Sequence, residues 1–274
     1  MVLGNREKRK AVIMTMSDIK TFLVDGGMPG CGRSLAVRTL ADMYIRGCRD
    51  KKLSHGRVPK ARVYVWDACN DPDTETGYRM WHARGDATVH TGKLDSEQGA
   101  QAYGTIANLA LEAAQDGPVR FIIDLPAVQD SELLEKRLMN GMLKDLNTIP
   151  IWILTRQAMS LGLLADRVDV MPEIYRNRGV VIRNSKFSRW NNYVEWWNSG
   201  LRRALVEHGR WLDLYMLFCN QYAQAAMDMV IPNMPFNVAN EKALADGSWM
   251  GLWRVGLALF AGSELDEWNV METL

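Results

Sequence analysis

Residues 21–34, TFLVDGGMPGCGRS, decide how this chain folds. The apolar and β-branched run 21–24 predicts a short buried strand. The glycines at 26, 27, 30 and 32 then turn the chain into a helical stretch over 34–46. Closely spaced glycines let successive backbone N–H groups converge, and the helix that follows adds its positive N-terminal end, which together suit a phosphate. Set against G-x4-G-K-[ST], the match is Gly27, Gly32, Arg33 and Ser34, with arginine in the lysine position. Gly30 lies inside the same loop. Ser34 is then a candidate Mg²⁺ ligand, and Arg33 a candidate cation for terminal phosphates. A dinucleotide fingerprint fits less well, because Gly30-x-Gly32 continues to Leu35 where Gly or Ala is required. At this point a glycine-rich turn that joins strand to helix without any ligand remains open.

Outward from this stretch the pattern repeats. Short apolar runs at 62–66, 119–123, 151–154, 180–182 and 229–231 predict further strands, nearly continuous in apolar character as strands buried on both faces are. Helical spacing appears at 98–115, 131–146, 189–208, 211–227, 238–245 and 249–260. Alternating β and α elements predict an α/β fold, a doubly wound and mostly parallel sheet flanked by helices. The polar stretch 71–97 reads as one long loop, of a length at which loops are commonly functional or mobile. Its Arg84-Gly85-Asp86 is a chance tripeptide in this setting. There is no repeat, low-complexity tract or Pro/Ser linker, so residues 18–274 are expected to form one domain behind a basic extension, 1–17.

Composition narrows the function classes. Lys and Arg number 33 against 32 Asp and Glu, a net charge of +1, so any affinity for nucleic acid or membrane has to come from a local patch. No apolar run reaches the roughly 18 residues of a membrane span, and the basic start leads into no signal-peptide core. Cys31, Cys48, Cys69 and Cys219 lie far apart, with no C-x-x-C. That spacing argues against a disulfide framework and for a cytoplasmic chain. The histidines His55, His82, His90 and His208 show no zinc-ligand spacing, and no G-x-S-x-G elbow is present.

Two acids share the setting of the loop. Asp124 ends the run VRFIID and Asp67 ends VYVWD, so both are expected at carboxyl ends of buried strands, the edge where ligands of open α/β sheets sit. Asp124 there suits a Mg²⁺ site. A helix N-cap or turn role is the plainer reading of each acid alone.

With these pieces in order, the chain resembles the ParA/MinD-type P-loop ATPases with a deviant Walker A motif, over most of residues 19–247. The resemblance rests on the loop at 27–34, the strand-Asp-Ala at 65–68, IIDLP at 122–126, VVIRN at 180–184, and IPNMPFNVANEKALADG at 231–247. It implies a P-loop NTPase fold that binds ATP and Mg²⁺. Gly27, Gly30, Gly32 and Arg33 would lie on phosphates, Ser34 and Asp124 on the metal, Asp67 near the γ-phosphate, and Asn184 and Pro232 at adenine. It further implies a homodimer, an adaptor-protein partner, non-specific DNA binding, and a role in plasmid partition or cargo positioning. The chain departs from the pattern at three positions. Met28 stands where the family has its signature lysine, Arg33 replaces the second lysine, and Cys69 replaces the second acid of Asp-x-Asp, with Asp71 and Asp73 nearby. Losing two phosphate-directed lysines weakens transition-state stabilisation more than binding, so hydrolysis is expected to be slow or absent. The alternatives are a non-catalytic scaffold on a degenerate P-loop fold, and a metabolic P-loop enzyme.

Two basic runs bear on DNA. One is Arg46, Arg49, Lys51, Lys52, Arg57, Lys60 and Arg62; the other is spread from Arg176 to Arg210. Each reads either as a solvated face or as a phosphate-binding patch. Trp190, Tyr193 and Trp197 fall on one helical face and read as a core stripe before they read as a partner surface. The apolar stretch 249–260 is followed by Glu264, Asp266 and Glu267, which an anionic membrane would repel, so membrane binding is not expected. Cys31, at a helix N-terminus, is a place where a thiol pKa could fall; a small residue chosen for space is the plainer reading.

Overall fold

The computed structural model describes residues 19–49, 61–68, 78–79, 81–92, 94, 99–115, 117–126, 143–184 and 193–216. Within them seven strands form one sheet. These are β1 (Ile19–Asp25), β2 (Arg62–Asp67), β3 (Thr88–Thr91), β4 (Val119–Asp124), β5 (Thr148–Leu154), β6 (Gly179–Asn184) and β7 (Trp211–Met216). Their order is β3-β2-β4-β1-β5-β6-β7, and every adjacent pair is parallel. Strands β4, β5 and β6 are buried along their whole length, as their unbroken apolar runs require. The α/β doubly wound fold expected from the sequence is the fold observed.

Helices cover both faces. α1 (Arg33–Arg49) lies across β1, β4 and β2 and closes one core with Phe22, Val24, Ile122, Ile151 and Ile182. Its residues 36–45 are all buried, Arg38 and Asp42 included, so it is more enclosed than a surface helix with one apolar face. On the opposite face α2 (Gly99–Ala114), α3 (Ala158–Val170), α4 (Pro172–Tyr175) and α5 (Val194–Asn198) close a second core around Leu23, Phe121, Ile123, Trp152 and Val181. Sheet registry assigns the faces. Val24 pairs with Asp124 and Asp67 pairs with Asp124, so these three side chains share the α1 face, while Asp25 pairs with Trp152 and faces α3.

Four regions depart from expectation. Residues 211–216 form edge strand β7 rather than the start of a helix over 211–227. Only its two ends are buried, and the half-exposed middle, LDLY, carries no strong period. The supposed loop 71–97 contains helical residues at 78–79 and 81–84 and the edge strand β3, too short and too exposed to announce itself as apolar. α3 was not foreseen at all, because its buried positions Ser160, Leu164 and Val168 include only two apolar residues. The helix expected at 189–208 is broken into α5, a turn at Gly200–Arg202 and a π-helical turn at Arg203–Glu207. The strand expected at 229–231, the helices at 238–245 and 249–260, most of 131–146, and the 1–17 extension lie outside the described residues.

Candidate functional site

β1 has β4 on one side and β5 on the other, and the chain, after building β2, β3 and β4 on one side, crosses it to continue as β5, β6 and β7 on the other. In open α/β sheets ligands settle beyond the carboxyl ends of the strands at such a reversal. The loop 26–32 stands there, at the end of β1 and against the first turn of α1. Gly27, Gly30 and Gly32 have φ of +65°, +67° and +104°, which other residues adopt only under strain. At Gly27 a side chain would also strike Leu163 and Trp152, at 2.7 and 3.1 Å. At Gly32 it would strike the Asn184 amide.

Ser34 Oγ donates to Asp124 Oδ2 at 3.1 Å, joining the first turn of α1 to the end of β4. A loop at the switch point, a hydroxyl in the helix it opens, and a strand-ending carboxylate bound to that hydroxyl are the Mg²⁺-holding parts of a P-loop. The fold is that of the P-loop NTPases.

Asp124 is fully buried and also accepts from Tyr78 OH at 2.8 Å. Tyr78, fully buried and stacked on Trp81 with ring centroids 5.6 Å apart, comes from the stretch read as a loop. Its aromatic character gave no positional signal. Asp67 stands beside Asp124 in register, also fully buried, with its carbonyl accepting from Gly92 N at 3.1 Å. Hard cations take oxygen ligands, so the Ser34 and Asp124 oxygens fit Mg²⁺. Among the described residues no group of three or more His, Cys, Asp and Glu is placed to hold a metal.

The cationic part of the expected site is arranged differently. Arg33 is buried and its Nη1 donates to Leu125 O, which ties the helix start to the end of β4 rather than covering the loop. Met28 is half-buried, its sulfur 3.9 Å from Thr155 Oγ1. Asn184 is brought to the loop, where its Nδ2 donates to Cys31 O at 2.7 Å. Tyr193 OH donates to the Asn184 carbonyl at 2.6 Å. Asn184 thus holds the loop from behind. Pro232, Cys69, Asp71 and Asp73 lie outside the described residues.

Cys31 packs into the α1-side core, 1% exposed. Burial raises its thiol pKa and outweighs the lowering effect of the Arg33 charge, opposite to the fall expected at a helix N-terminus. The space-filling reading is the one observed.

An acid that sequence reasoning passed over lies beneath the loop. Asp25 Oδ1 accepts from Gly26 N at 2.6 Å and Gly27 N at 3.0 Å. Its Oδ2 accepts from Arg167 Nε at 2.9 Å and Tyr175 OH at 3.3 Å. An Asp before Gly-Gly looks like an ordinary turn residue; no local signal ties it to residues more than a hundred positions away.

Two members of the second basic run, Arg183 and Arg202, are committed to the protein itself. Arg183 pairs with Asp213 at 2.6 Å and lies over the rings of Trp197 and Tyr215. Arg202 lies over Trp197, with its guanidinium carbon 4.5 Å from the ring centroid, and pairs with Glu207 and Asp213. Such cation–π contacts contribute roughly 0.5–2 kcal/mol each, the larger values when desolvated. Trp196, buried and donating to Asp213 at 3.1 Å, is the core tryptophan of α5 rather than Trp197. Of the first run, residues 50–60 lie outside the described residues. A cavity of about 170 Å³ opens at the end of β5, lined among others by Thr155, Arg156, Gln157, Tyr193, Glu195 and Trp196.

No protein-family profile matches the chain, and no curated protein matches it. Among solved structures it is similar to the signal recognition particle receptor FtsY of Elizabethkingia anophelis, at 13% identity and a TM-score of 0.40 over 70% of this chain and 61% of that one. The same receptor in complex with GDP gives 13% and 0.38, over 66% and 58%. The signal recognition particle 54 kDa protein of Aeropyrum pernix K1 in complex with GDP gives 12% and 0.43, over 93% and 76%. The chain spans about three-fifths of the length of the receptor structures. Strand order and loop geometry define the fold.

Proposed function

We propose that the chain binds a Mg²⁺–nucleotide at loop 26–34 and uses it as a binding switch, with hydrolysis slow or absent. The observation that carries this reading is the Ser34–Asp124 hydrogen bond at the switch point of the sheet. Ser34 and Asp124 hold Mg²⁺, which when bound supplies positive charge to the phosphate oxygens. The backbone of 27–34 receives the phosphates, and Asp67 faces the terminal phosphate region. Slow turnover follows from the cations. Arg33 is directed to Leu125 O and Met28 is neutral, so neither sets a cation over the loop as a phosphate-directed lysine does in the transition state of phosphoryl transfer. The resemblance to ParA/MinD proteins supports ATP as the nucleotide, a homodimer as the bound state, and an adaptor-directed role in plasmid partition or cargo positioning. Arg183 and Arg202 are turned inward, so DNA contact draws on the run 46–62 and on the exposed Arg203 and Arg210.

Calorimetry with Mg-ATP and Mg-GTP, alongside light scattering, tests this on wild type, Ser34→Ala and Asp124→Asn. Micromolar binding to wild type that both variants lose, with a rise to dimer mass, is the expected result. Equal binding by all three would overturn the site assignment. A second reading, a scaffold on a degenerate P-loop, draws on the Arg33 side chain and the Asn184 amide, both engaged with main-chain carbonyls at the site. It predicts no binding up to millimolar nucleotide.

A further inference from the structure

We infer that Asp25 is the positioning residue of the phosphate loop, and that through it α3 and α4 set the geometry in which the loop receives a phosphate. The inference rests on the reading of 26–34 as a nucleotide site.

The two oxygens of this carboxylate serve two different parts of the fold. Oδ1 accepts from the first two amides of the loop, and Oδ2 accepts from a guanidinium of α3 and a phenol of α4. A carboxylate with two donors on each oxygen has little freedom to rotate, so the Gly26 and Gly27 peptides are oriented from the α3–α4 side of the sheet. Gly27 then enters its left-handed conformation already packed against Leu163 of α3 and Trp152 of β5. The far side of the network is anchored too. Tyr175 O accepts from Trp211 Nε1 at 2.9 Å, and Arg167 O accepts from Met171 N at 2.9 Å where α3 ends. Asp25 is fully buried, and the side chain of its partner Arg167 is 12% exposed, so solvent screens this pairing little. The loop amides nearest β1 therefore answer to α3 and α4, while the α1 end of the loop is tied to β4 through Ser34 and Asp124 on the other face.

The chemistry of the amide variant makes this testable. Asp25→Asn keeps the shape but puts an NH₂ against donors on one side or the other, so either the loop amides or Arg167 and Tyr175 lose their acceptor. Tyr175→Phe removes one hydrogen bond and leaves the ion pair. Cys31 reports on the loop without any nucleotide: its sulfur lies 2.5 Å from where a Cβ on Gly26 would stand, under the segment that Asp25 holds. Thiol-reagent labelling of Cys31, followed by peptide mass spectrometry with melting temperature and circular dichroism in parallel, is the measurement. Asp25→Asn is expected to raise the labelling rate by about tenfold or more, and Tyr175→Phe by about two- to threefold. Glu173→Gln, on the surface of α4 and bound to Lys144, should leave it unchanged. A folded Asp25→Asn protein with wild-type labelling overturns the inference. If that variant does not fold, an unchanged rate in Tyr175→Phe overturns it instead. Should wild type bind no nucleotide while the labelling order holds, the nucleotide reading fails and the positioning role of Asp25 stands.

Discussion

Asp25 and Asp124 end adjacent strands of one sheet, both fully buried, yet their surroundings differ in kind. Asp124 faces α1 and accepts from two neutral hydroxyls, Ser34 and Tyr78. Asp25 faces α3 and is met by a guanidinium, a phenol and two main-chain amides. A buried carboxylate needs compensation, and what supplies it decides what the acid can still do. Asp25 is neutralised by the protein and acts as structure. Asp124 has hydroxyls among its donors, groups that a cation can join or displace, which suits it to a metal. A single residue step along a strand, by switching faces, separates these roles.

Removing the structural acid should produce the largest effect. Asp25→Ala leaves Arg167 buried without its partner and is expected to cost about 3–5 kcal/mol in urea unfolding. A loss within that of an ordinary surface substitution would erase the contrast between the two acids. Asp124→Asn should reverse the pattern. Its stability change is smaller than that of Asp25→Ala, while Mg²⁺-dependent nucleotide affinity falls by about tenfold or more, read by calorimetry with and without Mg²⁺. If both acids moved stability and binding alike, facing would not divide them.

Tyr78→Phe sharpens the comparison further. It frees an acceptor position on Asp124 at the loss of one hydrogen bond, a contribution of about 0.5–1.5 kcal/mol. The expected outcome is tighter Mg²⁺ binding, within about tenfold, seen as a lower half-saturating Mg²⁺ concentration at fixed nucleotide. Weaker Mg²⁺ binding would make Tyr78 a support of the site rather than a competitor for it.

The smallest effect is on pH dependence. Burial holds the Cys31 thiol above its ordinary value of 9.0, so the folded state binds that proton more tightly than the unfolded chain does. Its contribution is fully present below the unfolded value and is lost as pH climbs towards the folded one. Denaturant midpoints should therefore drop across the alkaline range, and Cys31→Ala should drop less. Tyr103 and Tyr193 are also raised by burial, so their parts appear only at more alkaline pH.

The legible parts of this molecule are those with local causes. β1, β2, β4, β5 and β6 announce themselves because strands buried on both faces must be apolar throughout. Ser34 and Asp124 stood out because a loop and a strand end impose their own residue types. β3 and β7 were missed because edge strands are half exposed, and α3 because it presents few apolar residues to the core. Asn184 was expected on the basis of resemblance and reaches the loop, but as a donor to the Cys31 carbonyl.

By itself the sequence determined an alternating α/β chain, a glycine-rich turn after the first strand, and acids at strand ends, because each follows from hydrophobic period or backbone freedom within a few residues. The tertiary structure decided the rest. It turned Arg33 to Leu125, carried Tyr78 to Asp124, and set Arg167 and Tyr175 against Asp25 across separations of 142 and 150 residues. Those pairings depend on strand order and facing, which arise when the two cores close and not from any stretch of chain alone.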